Sequence, residues 1–278
     1  EICACLVGSE MCIRDSFSIC AILCYIVCFK LTSERVEVPA SNQKISASAI
    51  FKSIFTNKAL LGIIVAAIFV LLSQLTVMSL AGYVYPNVYG SAAAQSTASL
   101  LGTVVMLVVC APFASKLSAK FGKKELAMGS SILSALVWLV CLIWRPASVW
   151  GFVACYILAN IGMGFFNTII WAMITDVIDD AEVRNGVRED GTIYSVYSFA
   201  RKLGQAFSSG LVGALLGIIG YTEATAFDPA VTRGIFNMAC IAPIIGFVCI
   251  VLALAFLYPL NKKKVEENVA ELAARRNK

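Results

Sequence analysis

The chain has 278 residues, 59% hydrophobic and only 14% charged, with a net charge of +5 and no histidine. Soluble domains carry about a quarter charged residues, so a mean hydropathy of +0.83 points to an all-α integral membrane bundle. The missing histidine removes the commonest general base and metal ligand. The basic residues lie between the apolar segments rather than in one patch, so no nucleic-acid partner is expected.

Residues 1–16, EICACLVGSEMCIRDS, begin without a methionine and fit neither a signal peptide nor a cytoplasmic arm. They read as a non-native leader, similar to translated adapter sequence, and are set aside. About seven apolar segments follow: Phe17–Phe29, Ala59–Gly82, Ala92–Ser115, Leu126–Trp144, Trp150–Ile174, Ile193–Ile219 and Ile235–Tyr258. The first is about two-thirds of a full span. Its Cys20, Cys24 and Cys28 fall on one helical stripe; thiol ligation is one reading, and small apolar packing in a reduced setting is the simpler one.

The connections set the orientation. Lys30, Arg35, Lys44, Lys52 and Lys58 precede the second segment, and Lys116, Lys120, Lys123 and Lys124 precede the fourth. Arg184 and Arg188 precede the sixth, and the tail holds Lys262, Lys263, Lys264, Arg275, Arg276 and Lys278. The alternate connections carry only Arg145 and Arg233. The positive-inside rule makes the first set cytoplasmic, with an external N-terminus and a cytoplasmic C-terminus. An odd count with an external start suits a chain that lacks its beginning. The tail, 261–278, reads as a solvated end lying on anionic lipid or as a disordered stub.

Six of the seventeen acids crowd into TDVIDDAEVRNGVREDG, residues 175–191. The candidate readings are a metal site, a catalytic carboxylate pair or a charged latch. The spacing does not fit a calcium loop, and a glycosidase pair has no supporting cleft in view. Asp176, Asp179 and Asp180 fall at i, i+3, i+4 on one helical face, with Arg184 and Arg188 at further four-residue steps. Such pairs suit a latch repeatedly made and broken. A plain solvated loop is the bland alternative.

In segment six, Tyr194, Tyr197, Ser198, Arg201, Lys202 and Gln205 recur within about 140° of one face. A polar stripe in a spanning helix faces a bundle interior or a water cavity, and hydroxyl, amide and aromatic groups suit sugars. If the span is instead Leu203–Tyr221, Arg201 and Lys202 reach for the inner surface; Arg201 is assigned to that interface. Gly204 with Ser208, and Ser209, Gly213 and Gly217, form a close-packing pattern. Segment five offers Asn160, Asn167, Thr168 and Trp171, and segment two offers Gln74 and Thr76 more weakly. Gly162 and Gly164 are candidate flexible points.

Two stretches carry a family resemblance. PFASKLSAKFGKKE, residues 112–125, looks like the short basic loop between the second and third helices of each half of a major facilitator superfamily protein. Residues 175–221 resemble the glycoside–pentoside–hexuronide:cation symporters through Asp176, Asp179, Glu182, Gly186, Arg188, Gly191, Tyr194, Lys202, Gly204, Gln205, Gly220 and Tyr221. The chain departs from that pattern at Asp180, Ala181 and Val183, where the family usually has Tyr, Gly and often Trp.

The resemblance implies a major facilitator superfamily-like helix bundle with about seven of about twelve transmembrane helices present. Residues 17–30 would be the last helix of an N-terminal half, 31–58 a central cytoplasmic loop and 59–260 the C-terminal six-helix half. It implies cation-coupled symport of a sugar, glycoside or hexuronide, with Na+ or H+ bound by missing N-terminal helices. A lipid-handling protein on the same fold is the alternative. It assigns a cytoplasmic gate to Asp176, Asp179, Glu182 and Arg188. The cavity candidates are Asn167, Trp171, Tyr194, Tyr197, Ser198, Lys202 and Gln205. No catalytic residue, metal site or resident cofactor is expected. The expected partners are a small sugar, the bilayer of the cell membrane and the missing helices.

Overall fold

The computed structural model describes residues 2–33 and 57–276. Most of the expected central loop, with Arg35, Lys44 and Lys52, lies outside the described residues. The chain divides into two units, residues 1–45 and 46–278. Among the described residues of the first lies helix α1 (Ile2–Leu31). It runs unbroken through the boundary expected near residue 17.

Among its described residues the second unit holds six helices long and apolar enough to cross a membrane: α2 (Lys58–Val88), α3 (Ala92–Phe121), α4 (Lys123–Trp144), α5 (Val149–Asn185), α6 (Asp190–Ile219) and α7 (Pro229–Phe256). They correspond to the second to seventh apolar segments. An eighth helix, α8 (Lys262–Arg276), follows.

Each helix starts and stops for local reasons. Asn57 caps α2 by accepting from the Leu60 amide at 3.2 Å. Ser148 caps α5 by accepting from the Trp150 amide, and Gly186 ends it in the left-handed conformation at φ 72°. Between these caps α5 runs for 37 residues, roughly 55 Å at 1.5 Å per residue. That exceeds the roughly 30 Å hydrocarbon core, so the helix has length to spare beyond the bilayer at its acidic end.

α2 packs on α6 and α7, while α5 packs on α3 and α4, and α4 meets α7. Exchanging α2–α3–α4 with α5–α6–α7 maps this pattern onto itself, the arrangement of inverted three-helix repeats. Small residues permit the close crossings. A Cβ on Gly162 of α5 would collide with the Ser130 carbonyl and the Ser134 hydroxyl of α4. A Cβ on Gly204 of α6 would stand 2.9 Å from the Ile68 carbonyl of α2. Beside it, Ser208 shares a 3.2 Å hydrogen bond with Thr76. Gly162 and Gly164 therefore serve packing, the latter against Cys110 of α3. The close-packing stripe expected on α6 is shorter than its spacing suggests, because Gly213 and Gly217 meet nothing within 4 Å.

The two ends of the bundle differ. At one, Lys124 reaches the Tyr258 carbonyl at 2.6 Å and Lys262 the Ala119 carbonyl at 2.8 Å. At the other, Tyr89 donates to the Pro146 carbonyl at 3.0 Å, and Tyr83 meets Tyr221 edge-on at 5.0 Å. The first end gathers the lysines and the acidic cluster. The tail is a helix rather than a disordered stub: α8 keeps most of its residues exposed and docks one seam on the end of α5. Leu272 is buried there, and Asn268 is 2% exposed.

Gly204→Leu should destabilise the α2–α6 contact by about 1–3 kcal/mol, the usual cost of overpacking. The check is a lowered melting temperature in detergent; an unchanged value contradicts the close approach.

Candidate functional site

The acids at 176–190 are neither a loose loop nor a single cluster. Helix periodicity splits them between two faces of the last turns of α5. Asp176 and Asp180 face the bundle and are 5% and 1% exposed. Asp176 binds the Lys123 ammonium at 2.6 Å, and that lysine starts α4. Asp180 pairs with Arg184 at 2.9 Å and accepts from the Asn268 amide of α8 at 3.1 Å.

Asp179 and Glu182 lie on the outer face. Arg188, in the turn beyond Gly186, folds back to them at 2.9 and 2.8 Å and also binds Asp190 at 2.9 Å. Burial opposes the charge on Arg188, but Glu182, Asp179 and Asp190 more than offset it. The guanidinium is held above the ordinary arginine range and is a permanent cation. Burial, with the nearby Asp176, Asp180 and Glu125 charges, likewise pushes the Tyr258 phenol well up and keeps it neutral.

The four expected gate residues therefore form two arrangements. Asp179, Glu182 and Arg188 share one network, while Asp176 pairs across to the start of α4. Each described acid from 176 to 182 has a charged partner within the chain, although one buried oxygen of Asp176 and one of Asp180 accept no hydrogen bond. Among the described residues, no group of three Cys, Asp or Glu side chains is placed to hold a metal ion.

Further into the bundle, Trp171 stacks edge-on against Tyr197 at 5.5 Å. The Arg201 guanidinium lies 5.4 Å from the Trp171 ring centre and 5.8 Å from that of Tyr197. Arg201 thus turns onto α5 in a cation–π arrangement that screens its charge. Tyr197 departs from the expected stripe, because it is fully buried beneath this layer. Tyr194, Ser198 and Lys202 are exposed, and Lys202 donates to the half-buried Gln205 at 3.2 Å. One turn deeper on α5, Asn167 donates to Gln74 of α2 at 3.5 Å.

Beyond that bond lies a cavity of about 200 Å³, mainly between α2, α3 and α5, with Trp138 of α4 and Phe247 of α7 completing its wall. Gln74, Ser99, Thr103, Tyr156, Asn160 and Trp138 line its polar and aromatic side. Its lining holds no ionisable acid or base of ordinary pKa below tyrosine's. Met106, at the start of a π turn in α3, borders it. Aromatic rings stack away from it, with Trp138 at 6.0 Å and Tyr85 at 5.5 Å from Phe152. None of the seven cavity candidates lines this space. Gln74 and Asn160 had been singled out by polarity. Trp138, Tyr156, Ser99 and Thr103 had not, although an indole in mid-segment, away from the interface, was a usable signal.

Comparison with known proteins fits this layout. Residues 12–262 match the MFS/sugar transport protein family. The chain belongs to that family. Its members are membrane transporters rather than enzymes, and the chain is a multi-pass membrane protein of the major facilitator type. It is 28% identical over 262 residues to the glucuronide carrier protein homolog of Escherichia coli, covering 93% of this chain and 56% of that protein. It is 30% identical over 264 residues to the uncharacterized symporter YjmB of Bacillus subtilis, covering 92% and 56%. A putative sulfoquinovose importer of Salmonella typhimurium is 28% identical over 263 residues, covering 94% and 55%. The chain thus spans about half the length of the curated relatives it matches.

Lys123→Met strands the buried Asp176 carboxylate and should destabilise the bundle by about 2 kcal/mol, discounted because Lys123 is one-third exposed. Adding Asp176→Leu should recover much of that loss. Thermal unfolding of the single and double variants checks the pair; equal effects that simply add contradict it.

Proposed function

We propose that the chain is the C-terminal six-helix half of a secondary active symporter. It moves a sugar, glycoside or hexuronide with Na+ or H+, and the basic end of the bundle faces the cytoplasm. The observation that carries this reading is the cavity between α2, α3 and α5. Amide and hydroxyl groups for sugar hydroxyls stand there beside aromatic faces for a pyranose ring. The names of the relatives point the same way, with a glucuronide, a sulfoquinovose and a symporter among them.

The ionic layer closes the cytoplasmic end. Asp176, Asp179, Glu182 and Arg188 act as the inner gate, exchanging their present partners as the ends of α3, α5 and α6 separate. Between gate and cavity, the exposed Trp171, Tyr194, Ser198 and Lys202 and the half-buried Gln205 face the opposing half, and Asn167 marks the cavity's inner limit. The coupling ion binds helices of that other half, since the described spans carry their carboxylates only near the basic end. The six-helix unit by itself does not transport.

Uptake by the full-length protein in proteoliposomes tests this function. A panel of neutral sugars, glycosides and hexuronides is offered under Na+ and proton gradients in turn. At least one should accumulate with one gradient, and Asn160→Ala should lower its uptake about tenfold, as for a lost sugar hydrogen bond. No accumulation of any sugar under either gradient would overturn the reading.

A further inference from the structure

We propose that α8 is a strap across the basic end of the bundle, and that its release lets the cavity open there. Asp180 and Asn268 are the positioning pair that sets it. The inference rests on the cavity reading above and goes beyond it by assigning the tail a part in gating.

The strap is anchored at both ends. Lys262, its first residue, donates to the Ala119 carbonyl near the end of α3 at 2.8 Å. Further along, Asn268 donates to Asp180 at 3.1 Å, and Arg275 donates to the Val183 carbonyl at 3.1 Å, both on the last turns of α5. α3 and α5 are two of the helices that flank the cavity. Opening it toward the basic end requires their ends to separate, and α8 ties those ends together.

The chemistry of the pair suits a register-setting contact. Asp180 is 1% exposed and Asn268 2%, so each gave up water to meet the other. A leucine at 268 would bury more apolar area. An amide facing a carboxylate instead fixes one direction and one alignment. Release would not leave the carboxylate without a cation, because Arg184 on α5 itself lies 2.9 Å from Asp180. Asp180 is one of the positions where the chain departs from the symporter pattern, so the strap's pin is a property of this chain.

The strap is coupled mechanically to the latch. Asp180 lies roughly 100–160° around α5 from Asp179 and Glu182, at 100° per residue. Asn268 grips one face of the helix end while Arg188 grips another. A twist that frees Asp180 from Asn268 carries Asp179 and Glu182 away from Arg188 in the same movement.

The test places a single cysteine at Thr103, in the cavity lining, within the full-length protein. Its labelling by an impermeant maleimide is followed from the α8 side in inverted vesicles, with thermal unfolding measured in parallel. Asn268→Leu should raise the labelling rate about tenfold, the effect of one buried hydrogen bond. Exchanging the pair, Asp180→Asn with Asn268→Asp, should restore it. Arg275→Gln removes a more exposed anchor and should raise labelling less; it carries the test if Asn268→Leu does not fold. Unchanged labelling in the variants, even with a lowered melting temperature, overturns the strap. Failure of every sugar in the uptake panel to protect the cysteine in the otherwise unaltered protein counts against the cavity reading instead.

Discussion

The pairing of the acids on the last turns of α5 is the constraint on which the rest of this structure depends. An apolar bundle cannot leave carboxylates buried without partners. Lys123 on α4, Arg184 on α5 itself, Arg188 in the following turn and Asn268 on α8 each answer one or two of them. Those partners come from four parts of the chain. The pairing thus holds the ends of α4, α5 and α8 in one arrangement and keeps the outer helix face for Arg188.

Above that layer the inverted repeats leave a deliberate asymmetry. On the α2–α6 side, Gly204 and the Ser208–Thr76 bond draw the helices together. On the α3–α5 side the equivalent space is the cavity, with a π turn in α3 beside it. The same architecture supplies a tight contact on one side and, on the other, a largely apolar chamber with a few polar groups, which is the proposed solute site.

Much of this was legible in the sequence. Long apolar runs separated by lysines located all six spans, because length and charge decide what crosses a bilayer, but α5 runs on to Asn185, well past the expected end at Ile174. The three- and four-residue spacing of Asp176, Asp179 and Asp180 correctly placed them on a helix. The expectation that all three share one face is corrected: adjacent residues stand about 100° apart, so Asp180 turns inward with Asp176 while Asp179 turns outward to Arg188, a direction that depends on what packs beside α5. The docking of α8 was hidden for a related reason. Its charged composition reads as solvated, and only the burial of Leu272 and Asn268 shows the seam. Trp138 and Tyr156 escaped notice because a cavity is a property of several helices together. Gly213 and Gly217 misled for the same reason, as spacing shows which residues share a face and not whether another helix covers it.

The central claim is that the ionic layer is a gate rather than a brace. The most direct measurement is the distance between spin labels at Lys120, near the end of α3, and Asn185, at the end of α5, in the full-length protein in lipid. With no solute, the distance should be single and short. Adding a transported sugar with its coupling ion should bring in a second, longer distance. One unaltered distance under every condition that supports uptake would contradict the gate and leave the acids as structural.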